Sequence, residues 1–490
     1  MNNLIDSING LLWGSILMYL LMGAGLLFTV KTRFVQIRRF TLAMKTMLGS
    51  RVTDCSTHVS PFQAFCTSLA ARIGTGNIAG VAVAITMGGP GAVFWMWLIA
   101  VLGMSTSLAE NILAQLYKTN NGDGTYRGGP AYYIEKALGQ RWLGIIFSIS
   151  LIIAFGFAFN SVQSNSIAAA FSGYEIPTEA IGMGLAMVSA LIIFGGIRSI
   201  AKVAEMVVPI MAFGYLGVAL VVVFMNIQEL PAVFSLIIKS AFGLDSAVGG
   251  GAGYAISQAM QQGIKRGLFS NEAGMGSAPN AAATAHSNHP ANQGMMGMLG
   301  VFMDTIIVCT ATASIILMSG VMDGSGVTGI ELTQLALESQ VGPVGKHMVA
   351  AAILLFAFSS IIANYYYGES NLRFIMDKNW LVNVYRIAVL GMVIWGASSS
   401  LPTVWAFADA SMGIMALINL TAILMLSGTV VQVLKDFDDQ VASGVTPVFN
   451  RRKFPFLDKT MDADVWTEHS SGPVENSEKA KVKRTAAPDV

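Results

Sequence analysis

Apolar residues in this chain come in long unbroken runs, not in strand-like alternation, and a helix that crosses a bilayer needs about 20 of them in a row. By that measure the chain holds about eleven candidate spans, near residues 12–30, 62–87, 92–116, 142–171, 180–197, 204–226, 253–285, 295–320, 347–367, 381–399 and 403–433. The first is taken as a preceding span and the others as spans 1 to 10. Two runs are interrupted by polar and small residues: span 1 at "AARIGTGNIAG" (70–80) and span 6 at "FSNEAGMGSAP" (269–279). After Lys435 the pattern ends, and Asp, Lys, Ser and Pro dominate. A segment that polar cannot build a core of its own and is expected to be a mobile tail.

Composition fixes the solvent. The chain is 54% hydrophobic and 12% charged, with a mean hydropathy of +0.60, whereas a soluble domain carries about 25% charged residues. This is the composition of a polytopic membrane protein. A net charge of +1 gives no reason to expect nucleic acid as a partner. Cys55, Cys66 and Cys309 have neither disulfide-framework nor zinc spacing and read as ordinary thiols. The first apolar run has no basic leader and is followed by "VKTRFVQIRR", a stop-transfer pattern, so no cleavable signal is expected.

Loop charge sets an expected orientation. Lys31, Arg33, Arg38, Arg39, Lys45 and Arg51 crowd the loop after the first run, while the amino-terminal stub and residues 172–179 hold no Lys or Arg. Positive loops stay in the cytoplasm. The amino terminus is therefore expected outside, and Arg127, Lys136, Arg198, Lys202, Arg373, Lys378 and the tail residues Arg451, Arg452 and Lys453 inside.

The interruption in span 1 admits three readings. Gly74-Thr75-Gly76-Asn77 with Gly80 has the look of a dinucleotide loop, but that motif needs a strand before it and an acidic residue about 20 positions on, where this chain has "FWMWLIA" (94–100). A second reading is close helix packing through small residues. The third is a broken helix whose freed carbonyls and amides line a cavity, the setting in which irregular backbone is tolerated at that depth. The second interruption, with Asn271, Glu272, Gly274, Gly276 and Pro279 five spans later, favours the third. Paired breaks at corresponding positions of two halves point to an inverted-repeat transporter with its site at the midplane.

The motifs "SLAARIGTGNIAGVA" (68–82), "GGPGAVFWMWLIAVLG" (88–103) and "KRGLFSNEAGMGSAPNAAA" (265–283) resemble those of the sodium:alanine symporter family, also called alanine or glycine:cation symporters, and the resemblance runs to about residue 435. It implies an all-α polytopic membrane protein of about eleven helices, a leucine-transporter-like 5+5 inverted repeat with one extra helix in front and with helices 1 and 6 broken. The domain reading is an amino-terminal helix and basic loop (1–60), a first repeat (61–240), a second repeat (241–434) and a tail (435–490). The implied activity is sodium-driven import of a small neutral amino acid, alanine or glycine first and glutamine or serine as alternatives, by a monomer in the cell (inner) membrane.

The resemblance also implies roles for individual residues. Amides of Thr75 and Gly76, with Gly74 permitting the turn, would take the substrate carboxylate. Carbonyls of Phe269, Ser270 and Glu272 would take its ammonium, within the break that Gly274 and Gly276 open, and Met275 would close on the side chain. Gln163 and Asn165 in "NSVQSNS" of span 3 are further candidates, although amides in a membrane helix also serve simply to bond neighbouring helices. For sodium the candidates are Ser359 and Ser360 on span 8 with carbonyls of Phe356, Ala70 and Ile73. Serines there can also bond back to their own backbone.

Arg72, Glu110, Asp304 and Asp409 lie inside apolar runs, where an unpaired charge costs a few kcal/mol or more. Arg72 is expected to pair with Asp304, or failing that with Glu272. Lys265 and Arg266, ahead of the second break, read as a solvated helix end near an outer vestibule. A proton-coupled carrier of the same fold is the alternative function. A channel would show pore-lining rings instead of two broken helices. An enzyme is not expected, because His58, His286, His289, His347 and His469 fall in loops or near helix ends and form no catalytic constellation.

Overall fold

The computed structural model describes residues 2–50, 58–244, 251–321 and 326–467. Arg51, Cys55, His469 and the tail beyond residue 467 lie outside the described residues. The chain is an all-α polytopic membrane protein, and each expected span has a helical counterpart. Among the described residues eight helices are long and apolar enough to cross a membrane alone, and a ninth crossing is the pair Pro61–Arg72 and Gly76–Gly88, bent by 47°. Span 4 is the shorter Thr178–Ile193. Span 6 is Gly251–Asn271, an unwound stretch, and the single turn Pro279–Ala282.

Local chemistry explains where span 1 begins. Ser60 Oγ accepts the Gln63 N–H at 3.1 Å while Gln63 Oε1 accepts the Ser60 N–H at 3.1 Å, a capping box with Pro61 in the first helical position. Small residues let the centre pack closely. The start of span 7, Pro290–Val301, lies along span 2, Ala92–Leu116, and a methyl group on Gly294 would come within 2.7 Å of Ile112.

Hydropathy alone passed over several elements: the helices Phe40–Gly49, Pro130–Leu138, Leu230–Ala241 and Gly329–Val341, and the small hairpin Thr119–Asn120 with Tyr126–Arg127. All lie between spans and are too short or too polar to cross a bilayer.

The expectation of a mobile tail from Lys435 is corrected as far as Thr467. Helix Ser427–Ala442 carries the chain past Lys435, and residues 443–467 then form a strap across one end of the bundle. Phe449, Phe454, Leu457, Met461, Val465 and Trp466 are buried in it. The Phe449 N–H donates to the Asn288 carbonyl (2.9 Å), Trp466 Nε1 donates to the Gln115 carbonyl (3.0 Å), and Lys136 pairs with Asp462 (2.9 Å). Average composition hid this, because those six apolar side chains are spread thinly through polar sequence.

Beneath the strap, Lys118 Nζ lies 4.2 Å from the Tyr126 ring centroid and 4.7 Å from that of Trp466. It donates to Gln115 Oε1 and to the Ala285 carbonyl, both at 2.8 Å. Burial pulls this ammonium down to about 7.

Candidate functional site

Span 1 stops being a helix at Ile73, whose ψ of 87° turns the chain out of helical geometry. Ile73 still donates to the Leu69 carbonyl (2.7 Å). The next two amides leave the ladder: the Gly74 N–H donates to Asn77 Oδ1 (2.8 Å) and the Thr75 N–H to Gln163 Oε1 (2.9 Å). In a continuing helix these amides would bond the carbonyls of Ala70 and Ala71. The Ala70 carbonyl, released in this way, accepts the Ser360 hydroxyl at 2.8 Å.

Span 6 breaks by the same logic. The Ala273 N–H turns to Asn271 Oδ1 (3.0 Å) and the Gly274 N–H to Glu110 Oε1 (3.3 Å), so the carbonyls of Phe269 and Ser270 lose their helical partners. Glu272 takes a left-handed φ of 58° at the point of unwinding. The two breaks touch. A methyl group on Gly76 would stand 3.0 Å from both Phe269 Cδ1 and Ser270 Cα, tighter than ordinary van der Waals contact, so a neighbour would have to give way.

Between the breaks lies Asp304, completely buried in a π-helical stretch of span 7, Phe302–Cys309. Its carboxylate accepts from Asn77 Nδ2 (2.6 Å), Ser270 Oγ (2.8 Å) and Thr305 Oγ1 (2.7 Å), and so joins both breaks. Gln163 follows another π-helical stretch, Ile152–Phe159 of span 3. Such insertions re-aim side chains and recur at functional sites.

Several expected site residues meet here. Gly74, Thr75, Gly76, Gln163, Phe269, Ser270 and Ser360 surround the junction, with Ala70 and Ile73 on its span 1 side. Gln163 Oε1 occupies the Thr75 amide that was expected for the substrate. Phe356 contributes a carbonyl that accepts from Ser359 Oγ (2.9 Å) and Ser360 Oγ (3.0 Å). Met275 is fully buried in the span 6 break.

Other residues point elsewhere. Asn165 donates to the carbonyls of Gly396 (3.1 Å) and Ser399 (2.6 Å) at the end of span 9, because two residues along a helix from Gln163 is about 200° around it. Gly276, at φ 84°, faces Pro130, Asn419 and Phe147, and Gly274 faces Leu420, so both look toward span 10 and away from the junction. Glu272 does not free a carbonyl, since its C=O accepts the Met275 N–H (3.1 Å), and its carboxylate accepts Ser277 Oγ (2.6 Å). Ser359 Oγ turns to Met211 Sδ (3.5 Å) of span 5.

The expected Arg72–Asp304 pair is not formed, nor does Arg72 bond Glu272. Arg72 donates to the Gly297 carbonyl (2.9 Å) and Ser107 Oγ (3.0 Å), while neutral donors already fill Asp304. Arg266 is likewise no solvated helix end. It is buried, it pairs with Asp409 at 2.7 Å, and its guanidinium stacks 4.2 Å from the Trp405 ring centroid. Lys265 approaches the same carboxylate at 3.4 Å.

These charges line a cavity of about 710 Å³ at the end of the bundle opposite the strap. Trp405 forms its floor and packs on Phe269 (ring centroids 4.6 Å), which stacks on Phe159 (4.4 Å). The aromatic stack thus runs from the cavity wall to the span 6 break. The sequence reading missed Asn77, Phe159 and Trp405. Asn77 carried a signal, being a short amide three residues after the glycine whose amide it caps, whereas the aromatics look like any other apolar residue of a span.

Two broken helices meeting at buried oxygens suit the passage of a small polar solute, and comparison with known proteins agrees. The profile of the sodium:alanine symporter family matches residues 1–451. An uncharacterized transporter of Haemophilus influenzae is 50% identical over 465 residues, 94% of this chain and 96% of that protein. A probable sodium/glutamine symporter of Bacillus subtilis is 46% identical over 92% of this chain and 93% of its own length. A sodium/alanine symporter of Methanococcus maripaludis is 40% identical over 89% and 97%. These relatives are transporters, not enzymes, and the chain belongs to the sodium:alanine symporter family.

Proposed function

We propose that this chain imports a small neutral amino acid, alanine or glycine first, together with sodium, by alternating access. One observation carries the reading: the breaks of spans 1 and 6 abut at Gly76 and Ser270, and each leaves carbonyls outside its helix. An amino acid presents a carboxylate and an ammonium on one carbon atom, and amides and carbonyls freed at neighbouring breaks complement both. Sodium prefers hard oxygens, and the Ala70 carbonyl, the Phe356 carbonyl and Ser360 Oγ gather at one point. In this reading residues 61–240 and 241–434 are the two repeats, and residues 1–60 and 435–490 flank them. The protein acts as a monomer in the inner membrane with its amino terminus outside and the strap in the cytoplasm.

Glutamine is the second substrate to test, because the Bacillus subtilis relative carries that name at 46% identity. Proton coupling is the second mechanism. It is favoured by the charges at the centre, where Glu110, Glu272 and Asp304 are all buried with Arg72 as the nearby guanidinium.

The test is uptake into liposomes of labelled alanine, glycine, serine and glutamine. A tenfold sodium gradient supplies about 1.4 kcal/mol and 100 mV about 2.3 kcal/mol per charge, so one sodium per substrate supports accumulation of several hundredfold. Uptake should be electrogenic and sodium-dependent. Equal uptake on a proton gradient without sodium would overturn the sodium assignment.

A further inference from the structure

Glu110 sits fully buried in the last third of span 2, Ala92–Leu116, and has no part in the substrate or ion roles assigned above. Its Oε2 accepts Asn419 Nδ2 from span 10 at 2.9 Å, and its Oε1 accepts the Gly274 N–H at 3.3 Å. The same Asn419 Nδ2 donates to the Gly274 carbonyl at 2.9 Å. Asn419 Oδ1 is in turn held by the Tyr133 hydroxyl, on helix Pro130–Leu138. Two side chains from different spans therefore hold both peptide groups of one residue in the span 6 break, an acceptor for its N–H and a donor for its C=O. That is the pairing a neighbouring strand would otherwise give.

The consequence lies four residues back. In an uninterrupted helix the Gly274 N–H would bond the Ser270 carbonyl. Glu110 and the Ser270 carbonyl thus compete for one donor, and Glu110 has it. We infer that Glu110, locked by Asn419 and Tyr133, is a positioning residue: by drawing off the Gly274 amide it keeps the Ser270 carbonyl free for the substrate ammonium. This rests on the transport reading above. Without Glu110 the helix can wind on by two bonds, Ala273 to Phe269 and Gly274 to Ser270, and the Ser270 carbonyl is consumed.

Donor and acceptor directions make the claim testable. A glutamine at position 110 can offer an acceptor to Gly274, but its NH₂ then faces Asn419 Nδ2, donor against donor. Asn419 cannot turn over without dropping both the Gly274 carbonyl and the Tyr133 hydroxyl. Glu110→Gln should therefore fail, whereas Glu110→Gln combined with Asn419→Asp restores a donor facing an acceptor, keeps one carboxylate in the knot and still receives Tyr133, but gives up the donor to the Gly274 carbonyl, so its recovery is partial.

The experiment measures initial uptake rates and melting temperature for wild type, Glu110→Gln, Asn419→Asp and the double variant, each in liposomes or detergent with saturating sodium. The expected result is an apparent KM for alanine raised at least tenfold in Glu110→Gln, with the sodium half-activation moving less than twofold, and a KM in the double variant at least threefold below that of Glu110→Gln. A purely structural role would lower melting temperature and the amount of folded protein while leaving KM where it was, and that outcome overturns the proposal. So does a double variant no better than the worse single. If wild type shows no sodium-driven uptake, the transport reading fails first. The lock is then decided by melting temperature alone: a double variant above both singles upholds it, and one at or below the worse single overturns it.

Discussion

Gln163 Oε1 accepts two hydrogen bonds from the same residue, the Thr75 backbone N–H at 2.9 Å and the Thr75 hydroxyl at 2.7 Å. The span 1 break is therefore closed from span 3, by a neutral oxygen standing where a substrate carboxylate would stand. Replacing Gln163 by Met keeps the volume and removes the acceptor. It leaves two buried donors unpaired, each costing about 1–3 kcal/mol, so the substrate-free variant should melt several degrees below wild type. In saturating alanine and sodium the gap should narrow, because the carboxylate supplies the missing acceptor and binding stabilises whichever state it fits. A gap that is equal with and without alanine would show that no anion reaches Thr75.

Ser359 and Ser360 are adjacent in sequence but not in role. Both hydroxyls reach the Phe356 carbonyl, but Ser360 Oγ also meets the released Ala70 carbonyl at 2.8 Å, whereas the second contact of Ser359 Oγ is Met211 Sδ. Ser360→Ala should raise the sodium concentration for half-activation by about tenfold, the 1.4 kcal/mol expected when one interaction of hydrogen-bond strength is removed. Ser359→Ala should move it less than twofold. Sodium titration of alanine uptake at fixed potential reads both, and equal shifts would return the pair to a shared role.

The helices and the two breaks were legible because a bilayer demands long apolar runs and punishes exposed backbone, so glycines and polar residues inside a run stand out. Gln163 stood out for the same reason, whereas Ser270 and Ser360 were singled out by the family resemblance. What escaped was direction. Asn165 lies two residues from Gln163 and faces the end of span 9, and Arg72 was matched to a carboxylate although a backbone carbonyl and a serine serve it. Helical phase alone could have separated Asn165 from Gln163. The partners of Arg72 come from spans 2 and 7, and no local pattern reports an interaction between residues so far apart along the chain. The strap escaped because its buried aromatics are diluted in polar sequence.

The separation of Arg72 from Asp304 has its own test. Asp304 is satisfied by Asn77, Ser270 and Thr305, so Asp304→Asn sets an amide donor against donors and costs about 1–3 kcal/mol for each hydrogen bond broken. Arg72→Gln strips the fork that reaches Gly297 and Ser107. Because the two penalties arise at different partners, the double variant should melt no higher than the worse single. Recovery of melting temperature in the double variant would mean that the charges pair after all.

The strap makes the chain's stability depend on pH through Lys118. Burial pulls this ammonium down to about 7, while two ring faces at 4.2 Å and 4.7 Å resist the shift by favouring the cation. An unfolded lysine keeps its proton to about 10.4. Below pH 7 both states hold the proton and the cost of burying the charge is fully present. As pH rises above 7 the folded state releases the proton and the unfolded state keeps it, so stability rises with pH until the unfolded lysine also titrates. His286, the imidazole beside it, is held near 4 by burial and the Lys118 charge, and stays neutral across that window. Wild type should therefore melt higher at pH 9 than at pH 7, and Lys118→Met, which keeps the apolar stem and has no proton to lose, should lose most of that rise. Trp466→Ala, which uncovers Lys118 to water, should flatten the profile as well and lower the melting temperature at both pH values. A rise that persists unchanged in Lys118→Met would assign the titration to another group and free the strap from any part in it.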